Sequence, residues 1–397
     1  MPNKDVILSI GMGPTQLDFI KRLHELGFSI AAFGKGKNSQ EAIDLCDYTA
    51  EIDTRDFEGA VNWVNSLPVK VAAVGSFAGG AAVTTVQKLA NHFKVCTKVP
   101  DELIVGSDKI RQQALYEKYG LSSIKTWKAK ELNRDIIVSS NEDAFILKPA
   151  IGRGSEGITI MNRDHLIEIM DSLSDEDIVQ VVRRGTEYRC VIIVQNGNLK
   201  LLAPILRRSY RDTVFLGVLS YSDKDLDRLN CFVRDFVKKA NIVNSIIKAD
   251  IIVSEKSVDV IEMDISVGGG SYYKTFVSRV YGRNLMDEYI NLITGQEVKE
   301  FEVERPLLRM DYVFNHNPEP VYYNLEECQK FFDDQFGKSE IQINKLHPEV
   351  KGGFSSNADF IFTVMYESDR SRDEFIADEI ANKFLLHVGV KNNGNRG

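Results

Sequence analysis

Apolar and polar positions alternate in blocks over the first hundred residues. Val6-Ile-Leu-Ser-Ile10 is a short apolar run, Gly11-Met-Gly13-Pro14 breaks it, and a helical pattern follows from Gln16 to Leu26, so the chain opens strand, turn, helix. Ser29 to Phe33 predicts a second strand, Asp56 to Leu67 a helix and Lys70 to Gly75 a buried strand. Strands that alternate with helices imply a parallel sheet covered by helices on its faces. Asp108 to Tyr119 reads as a polar helix, and beyond it the pattern changes. Phe145 to Lys148, Gly157 to Met161, Ile178 to Val182 and Tyr188 to Val194 read as strands, the last closed by the hairpin signal Gln195-Asn-Gly197-Asn. The middle of the chain therefore reads as antiparallel. Leu226 to Ala240 predicts an amphipathic helix and Ile246 to Asp264 a hairpin. After Gly295, Leu308 to Phe314 and Phe360 to Tyr366 read as strands, and the capping box Ser371-Arg-Asp-Glu374 starts a closing helix. Asn392 to Gly397 predicts a disordered tail.

Composition narrows the function classes. The 397 residues are 43% hydrophobic and 27% charged, an ordinary globular balance with enough chain for two to four domains. A net charge of -8 without long like-charge runs argues against a nucleic-acid or acidic-membrane surface, which needs a basic footprint. No apolar run approaches the roughly 20 residues of a membrane span, and Met1-Pro-Asn-Lys-Asp lacks the pattern of a signal peptide. Cys46, Cys96, Cys190, Cys231 and Cys328 are dispersed, with no CxxC pair, and read as reduced thiols of a cytoplasmic protein.

Two stretches carry chemistry. Phe145-Ile-Leu-Lys148-Pro149-Ala-Ile-Gly152-Arg-Gly154-Ser155-Glu-Gly157 places a glycine-rich loop between two strands. Residues without a Cβ let backbone N–H groups turn toward phosphate oxygens, and Lys148 adds a point charge. The loop lacks the Gly-Lys-Ser/Thr and following helix of a Walker loop; a bland glycine hairpin is the alternative. The second stretch is Asp250-Ile-Ile-Val, then Val258-Asp-Val-Ile-Glu262-Met-Asp264. If the two strands pair around Glu255-Lys-Ser257 with paired numbers of constant sum, Asp250 faces Glu262, and Asp264 projects from the same face. Like charges so close call for a cation, and oxygen donors suit magnesium better than zinc. A solvent-facing hairpin end with incidental acids is the alternative. Lys248 shares the Asp250 face.

With both stretches in hand, the chain resembles the ATP-grasp superfamily, whose members mostly join a carboxylate to an amine through an acyl-phosphate. The resemblance covers roughly residues 5 to 298. It implies an α/β and α+β multidomain protein: a Rossmann-like parallel-sheet domain at 1–105, a glycine-loop subdomain at 106–183, a metal-binding subdomain at 184–298, and a small α+β region at 299–397. Asp108-Lys109 with its helix and Tyr119-Gly120-Leu121 is similar to the family segment whose lysine reaches the nucleotide, which nominates Lys109. Lys148, Gly152, Gly154, Ser155 and Gly157 match the phosphate loop. Gln180 stands where the adenine hinge commonly has glutamate, and Glu187 matches the ribose-binding glutamate. Asp250, Glu262 and Asp264 fall on the metal ligands, with Asp264 in place of the usual asparagine. Ile265-Ser266 replaces a common proline-arginine, so Arg207, Arg208, Arg211 or Lys248 is nominated to supply the missing charge. Gly268-Gly-Gly270-Ser271 is expected to shape the substrate pocket. His316 and His347 show no paired spacing that would single out a general base.

The resemblance thus implies an ATP-dependent carboxylate-amine ligase with Mg2+ or Mn2+, binding ATP between two halves of a grasp domain and acting on an amino acid or small peptide. A bicarbonate-activating carboxylase and a non-catalytic ATP-binding regulator are the alternatives. Residues 299–397 match no motif; selectivity, a cap over the site or a homodimer contact are their open roles. The start Gly11-Met-Gly13-Pro14-Thr-Gln16 mimics a dinucleotide fingerprint. It has Gln16 at the third glycine and Phe33-Gly34-Lys35 where the acidic ribose ligand should follow.

Overall fold

The computed structural model describes residues 4–77, 79, 82–152, 157–210, 214–267, 272–315, 321–322, 324–337, 339–343, 349–350 and 359–368. In chain order the elements begin β1 (Lys4–Ile10), α1 (Pro14–Glu25), β2 (Ile30–Phe33), α2 (Gln40–Asp44), β3 (Tyr48–Ala50), α3 (Phe57–Asn65), β4 (Val69–Gly75), α4 (Ala82–His92) and α5 (Lys109–Tyr119). Next come β5 (Thr126–Lys128), α6 (Arg134–Ser139), β6 (Ala144–Pro149), β7 (Thr159–Asn162), α7 (Arg163–Ile169), β8 (Asp177–Val181), β9 (Thr186–Gln195), β10 (Asn198–Ser209) and β11 (Leu216–Tyr221). The rest are α8 (Leu226–Lys239), β12 (Ser245–Val253), β13 (Val258–Asp264), α9 (Ser278–Val280), α10 (Leu285–Thr294), β14 (Leu308–Val313), β15 (Val321–Tyr322), α11 (Leu325–Phe336), β16 (Glu340–Ile343), β17 (Glu349–Val350) and β18 (Phe362–Glu367). Two compact units result: Met1–Ser123 with Arg189–Pro204 and Asp225–Glu302, and Ile124–Tyr188 with Ile205–Lys224 and Val303–Gly397.

In the first unit the expected parallel sheet forms in the order β3-β2-β1-β4. Val6, Leu8 and Ile10 of β1, Phe33 of β2 and Val71 of β4 pack with Val61 and Val64 of α3 and Val86 and Leu89 of α4 in one apolar cluster. On the other side of β4, Gly75 is close enough to its neighbours that a side chain there would force one of them to shift. A Cβ there would lie 2.8 Å from Ile293 and 3.0 Å from Phe19. The same unit holds the strand order β13-β12-β9-β10. Asp259, 1% exposed, accepts from the Ser123 backbone N–H at 2.5 Å and hydroxyl at 2.8 Å, and Val260 N–H donates to Leu121. These bonds fix the end of the α5 segment against β13.

The β12–β13 hairpin departs from the expected register in one respect. Asp250 does face Glu262, and Lys248 faces Asp264, yet Ile251 pairs with Val260 and Val253 with Val258. The constant-sum pairing therefore fails on the loop side, and a β-bulge at Ile261 restores it at the acids.

The second unit contains the antiparallel sheet β5-β8-β6-β7 and, separately in the strand order, β10-β11-β14-β18-β16. The strand expected from Gly157 begins only at Thr159, because Gly157 has φ +70° and sits in the turn before it. Against the second sheet, Cys328 and Phe332 of α11 pack with Val313, Phe362, Val364 and Tyr366. Within this core Arg309 (2% exposed) makes a bidentate pair with Asp311 (1%) at 2.7 and 2.8 Å, and the Tyr366 hydroxyl donates to Asp311 at 3.0 Å. The closing helix expected from Ser371 and the tail from Asn392 lie outside the described residues.

Candidate active site

The carboxylate face belongs to the first unit. Asp250 is buried (7% exposed) at the middle of β12, and across from it β13 presents Glu262 and then Asp264. Lys248 stands opposite Asp264. Asp108 caps α5 by accepting from Ile110 and Arg111 N–H, which sets Lys109 at the first helical position. The charges of Glu262 and Asp264 act on Lys109, whose ammonium is pushed below its ordinary range by burial despite their pull. Burial comes first among the causes that push the Asp264 carboxyl from 3.8 up to about 6; Glu262 and Asp250 add to it, while Lys248 and Lys109 oppose it.

Three residues of this face were not singled out in the sequence. Gln112 donates to the backbone carbonyls of Met263 at 3.2 Å and Gly106 at 2.7 Å, and Tyr116 donates to Gln112 at 3.0 Å. They follow Lys109 at three and seven positions, so the helical period that carries Lys109 to this face carries them too. The third is Arg189 on β9. Its guanidinium holds both carboxylate oxygens of Asp250 at 2.9 Å, with the side chains 15% and 10% exposed.

Hard carboxylate oxygens suit a magnesium or manganese ion, and Glu262 and Asp250 bring two further negative charges to bear on the buried Asp264 carboxyl. Glu262 and Asp264 make no hydrogen bond or ion pair among the described residues, so as donors they fit such an ion. Asp250 fits only once released by Arg189. Among the described residues, no three His, Cys, Asp or Glu side chains are grouped to hold a metal.

The same acid gives a test by pH. Because the Asp264 carboxyl titrates near 6 in the folded chain and near 3.8 ordinarily, its favourable contribution is full below about pH 4 and is lost as pH rises through 6. Asp264→Asn is therefore expected to stabilise the metal-free protein at pH 7–8, by at most about 2–3 kcal/mol, and to change nothing near pH 4. Thermal melts in chelator across that range check it; a variant less stable at pH 8 would refute it.

The glycine-loop residues belong to the second unit. Lys148, buried on β6 (6% exposed), donates to the Gln180 side chain at 2.9 Å, and Gln180 donates in turn to the Thr126 hydroxyl at 2.9 Å. Lys148 and Gln180 converge because Ile146, two residues before Lys148, is directly opposite Gln180. Gly152 lies just past β6. Gly157 has the positive φ that favours glycine, and a side chain there would press on Pro149 at 3.1 Å. Gly154 and Ser155 lie outside the described residues, as do Arg211, His316, His347 and the 268–271 loop. Arg207 ion-pairs with Glu187 and donates to the Val214 carbonyl at 2.8 Å. Arg208 is exposed. The two arginines alternate along β10, so only Arg207 is brought to Glu187.

Outside these clusters, all five cysteines are free thiols, and among the described residues no helix is long and apolar enough to cross a membrane.

No protein-family model matches this chain, and no curated protein matches it significantly. Solved structures do. An L-amino acid ligase from Bacillus licheniformis superposes with a TM-score of 0.71 at 14% identity over 98% of each chain. Phosphoribosylglycinamide synthetase from Anaerococcus prevotii gives 0.66 at 17% identity, again over 98% of each. N5-carboxyaminoimidazole synthase from Aspergillus clavatus, solved with ADP and 5-aminoimidazole ribonucleotide, gives 0.66 at 11% identity over 98% of this chain and all of that one. The fold of the chain is that of the ATP-grasp ligases.

Proposed function

We propose that this protein is an ATP-dependent, ADP-forming carboxylate-amine ligase that works through an acyl-phosphate in the cytoplasm. The observation that carries the reading is the β12–β13 face, where Glu262 and Asp264 stand with Lys109 and Lys248 on a fold whose solved examples are ligases. Lys148, Gln180, Glu187 and the loop from Gly152 through Gly154 and Ser155 to Gly157 hold the nucleotide, with Lys109 on its phosphates. Asp250, Glu262 and Asp264 hold magnesium or manganese, which supplies charge neutralisation at the transferred phosphoryl group. A carboxylate oxygen of the first substrate attacks the γ-phosphorus and ADP departs. The amine nitrogen then attacks the acyl carbon, phosphate leaves, and the nitrogen proton passes to solvent. Lys248 is placed to steady the acyl-phosphate. Arg207 acts by fixing Glu187, and the exposed Arg208 is the candidate for a substrate carboxylate. In this reading residues 1–105, 106–183, 184–298 and 299–397 are the functional segments, and the acid and amine are amino acids or small peptides. The 299–397 segment contributes selectivity or a homodimer contact.

A second reading has a specific support: N5-carboxyaminoimidazole synthases align over essentially the whole chain. Bicarbonate would then be the activated carboxylate. One experiment separates the readings. Purified protein with Mg-ATP and pooled acids is trapped with hydroxylamine while ADP and AMP are resolved. The ligase gives ADP and an acyl-hydroxamate with its own acid, whereas the carboxylase gives ADP only with bicarbonate and no hydroxamate. Bound ATP with no ADP under any pool would reject both in favour of a regulator.

A further inference from the structure

The ion pair between Arg189 and Asp250 has no place in the roles just given, and its geometry is that of a competitor. A carboxylate that accepts two guanidinium N–H bonds at 2.9 Å has its outward lone pairs taken up. The pair is mostly shielded from water, so the bond is not dissipated by solvent as a surface pair would be. Arg189 also brings a positive charge to the face of Asp250, Glu262 and Asp264, where Lys109 and Lys248 already stand, and each of these opposes a free divalent cation.

We propose that Arg189 is a counter-ion lock on Asp250, which denies the carboxylate cluster to a free divalent cation and yields it when a polyphosphate arrives. The anionic phosphates offer Arg189 an equivalent bidentate partner, so releasing Asp250 leaves no buried charge uncompensated. Metal and nucleotide therefore bind as one. This rests on Asp250 being a metal ligand in the proposed function, but not on which bond the protein makes.

The test is a titration of Mn2+ into nucleotide-free protein followed by electron paramagnetic resonance of the free ion. The wild type is expected to bind Mn2+ weakly and to tighten when a non-hydrolysable ATP analogue is added. Arg189→Gln is expected to bind Mn2+ alone at least about tenfold more tightly than wild type. Asp250→Asn added to it should remove the gain. Arg189→Lys, which keeps the charge and loses the fork, should fall between. It also serves if the glutamine variant does not fold. Mn2+ affinities identical in wild type and in a folded Arg189 variant would overturn the lock and leave a structural ion pair. A gain without any ADP formation would keep the lock and reject the ligase, while hydroxamate formation without a gain would do the reverse.

Discussion

Replacing Glu262 by Ala is expected to lower ATP-dependent ADP formation by about 10²–10³-fold while the protein stays folded. Glu262 faces Asp250 across the hairpin and is one of the charges that push the Asp264 carboxyl up. Removing it takes away an oxygen donor at the point where the phosphoryl charge must be neutralised, and preorganised electrostatics of that kind commonly carries about two to three orders of magnitude per group. Losing it also relieves acidic crowding beside Asp264, so the melting temperature in chelator should hold or rise. Loss of activity together with a lower melting temperature would indicate damage to the fold. An active, folded variant would mean the metal site is misassigned.

Asp311→Ala is the substitution with the largest expected effect on stability, far from the carboxylate face in sequence. It strips Arg309 of a bidentate partner at a site where both residues are nearly fully buried, and it removes the acceptor of the Tyr366 hydroxyl. Breaking a buried ion pair by removing one partner costs about 3–5 kcal/mol. Burial, the largest of the causes that hold the Tyr366 phenol well above its ordinary range, persists in the variant and opposes its ionising in compensation. Because a chain of two compact units need not unfold in one step, the measurement is protease sensitivity within 303–397 as a function of urea. The double change Arg309→Met with Asp311→Leu should recover much of the loss, since it leaves no charge behind. Equal sensitivity of Asp311→Ala and wild type would remove the pair from any role in holding this region together.

The front of the fold was legible because its signals are local. Short apolar runs, a proline at the first turn of α1 and period-matched helices announce β1, α1, β2, α3 and β4 without tertiary help. The acids were legible for a related reason: one hairpin suffices to bring Asp250 and Glu262 together. What escaped depends on distant pairing or on patterns that lack contrast. β11 is buried at every position, which gives no alternation to read. The apolar stretch from Val71 to Val83 spans both the end of β4 and the start of α4, so the helix was hidden by the strand before it. α10 was missed although Asn284 caps it by accepting from Met286 N–H. Arg189 carries no local mark at all. Its role follows only from β9 lying beside β12, a neighbour about sixty residues away in sequence.

The extra residue at Ile261 resets the phase of its strand. Counted by strict alternation, Val258, Val260, Glu262 and Asp264 would share one side, and Asp259 would go with Ile261 and Met263 to the other. The pairs Ile251 with Val260 and Asp250 with Glu262 show the count inverted past Ile261. All three acids of the strand therefore fall on one side, and Val258, Val260 and Met263 on the other. Parity along the chain is thus a misleading guide here, and the sorting of charge from oil in this strand is the work of a single residue that pairs with nothing across from it.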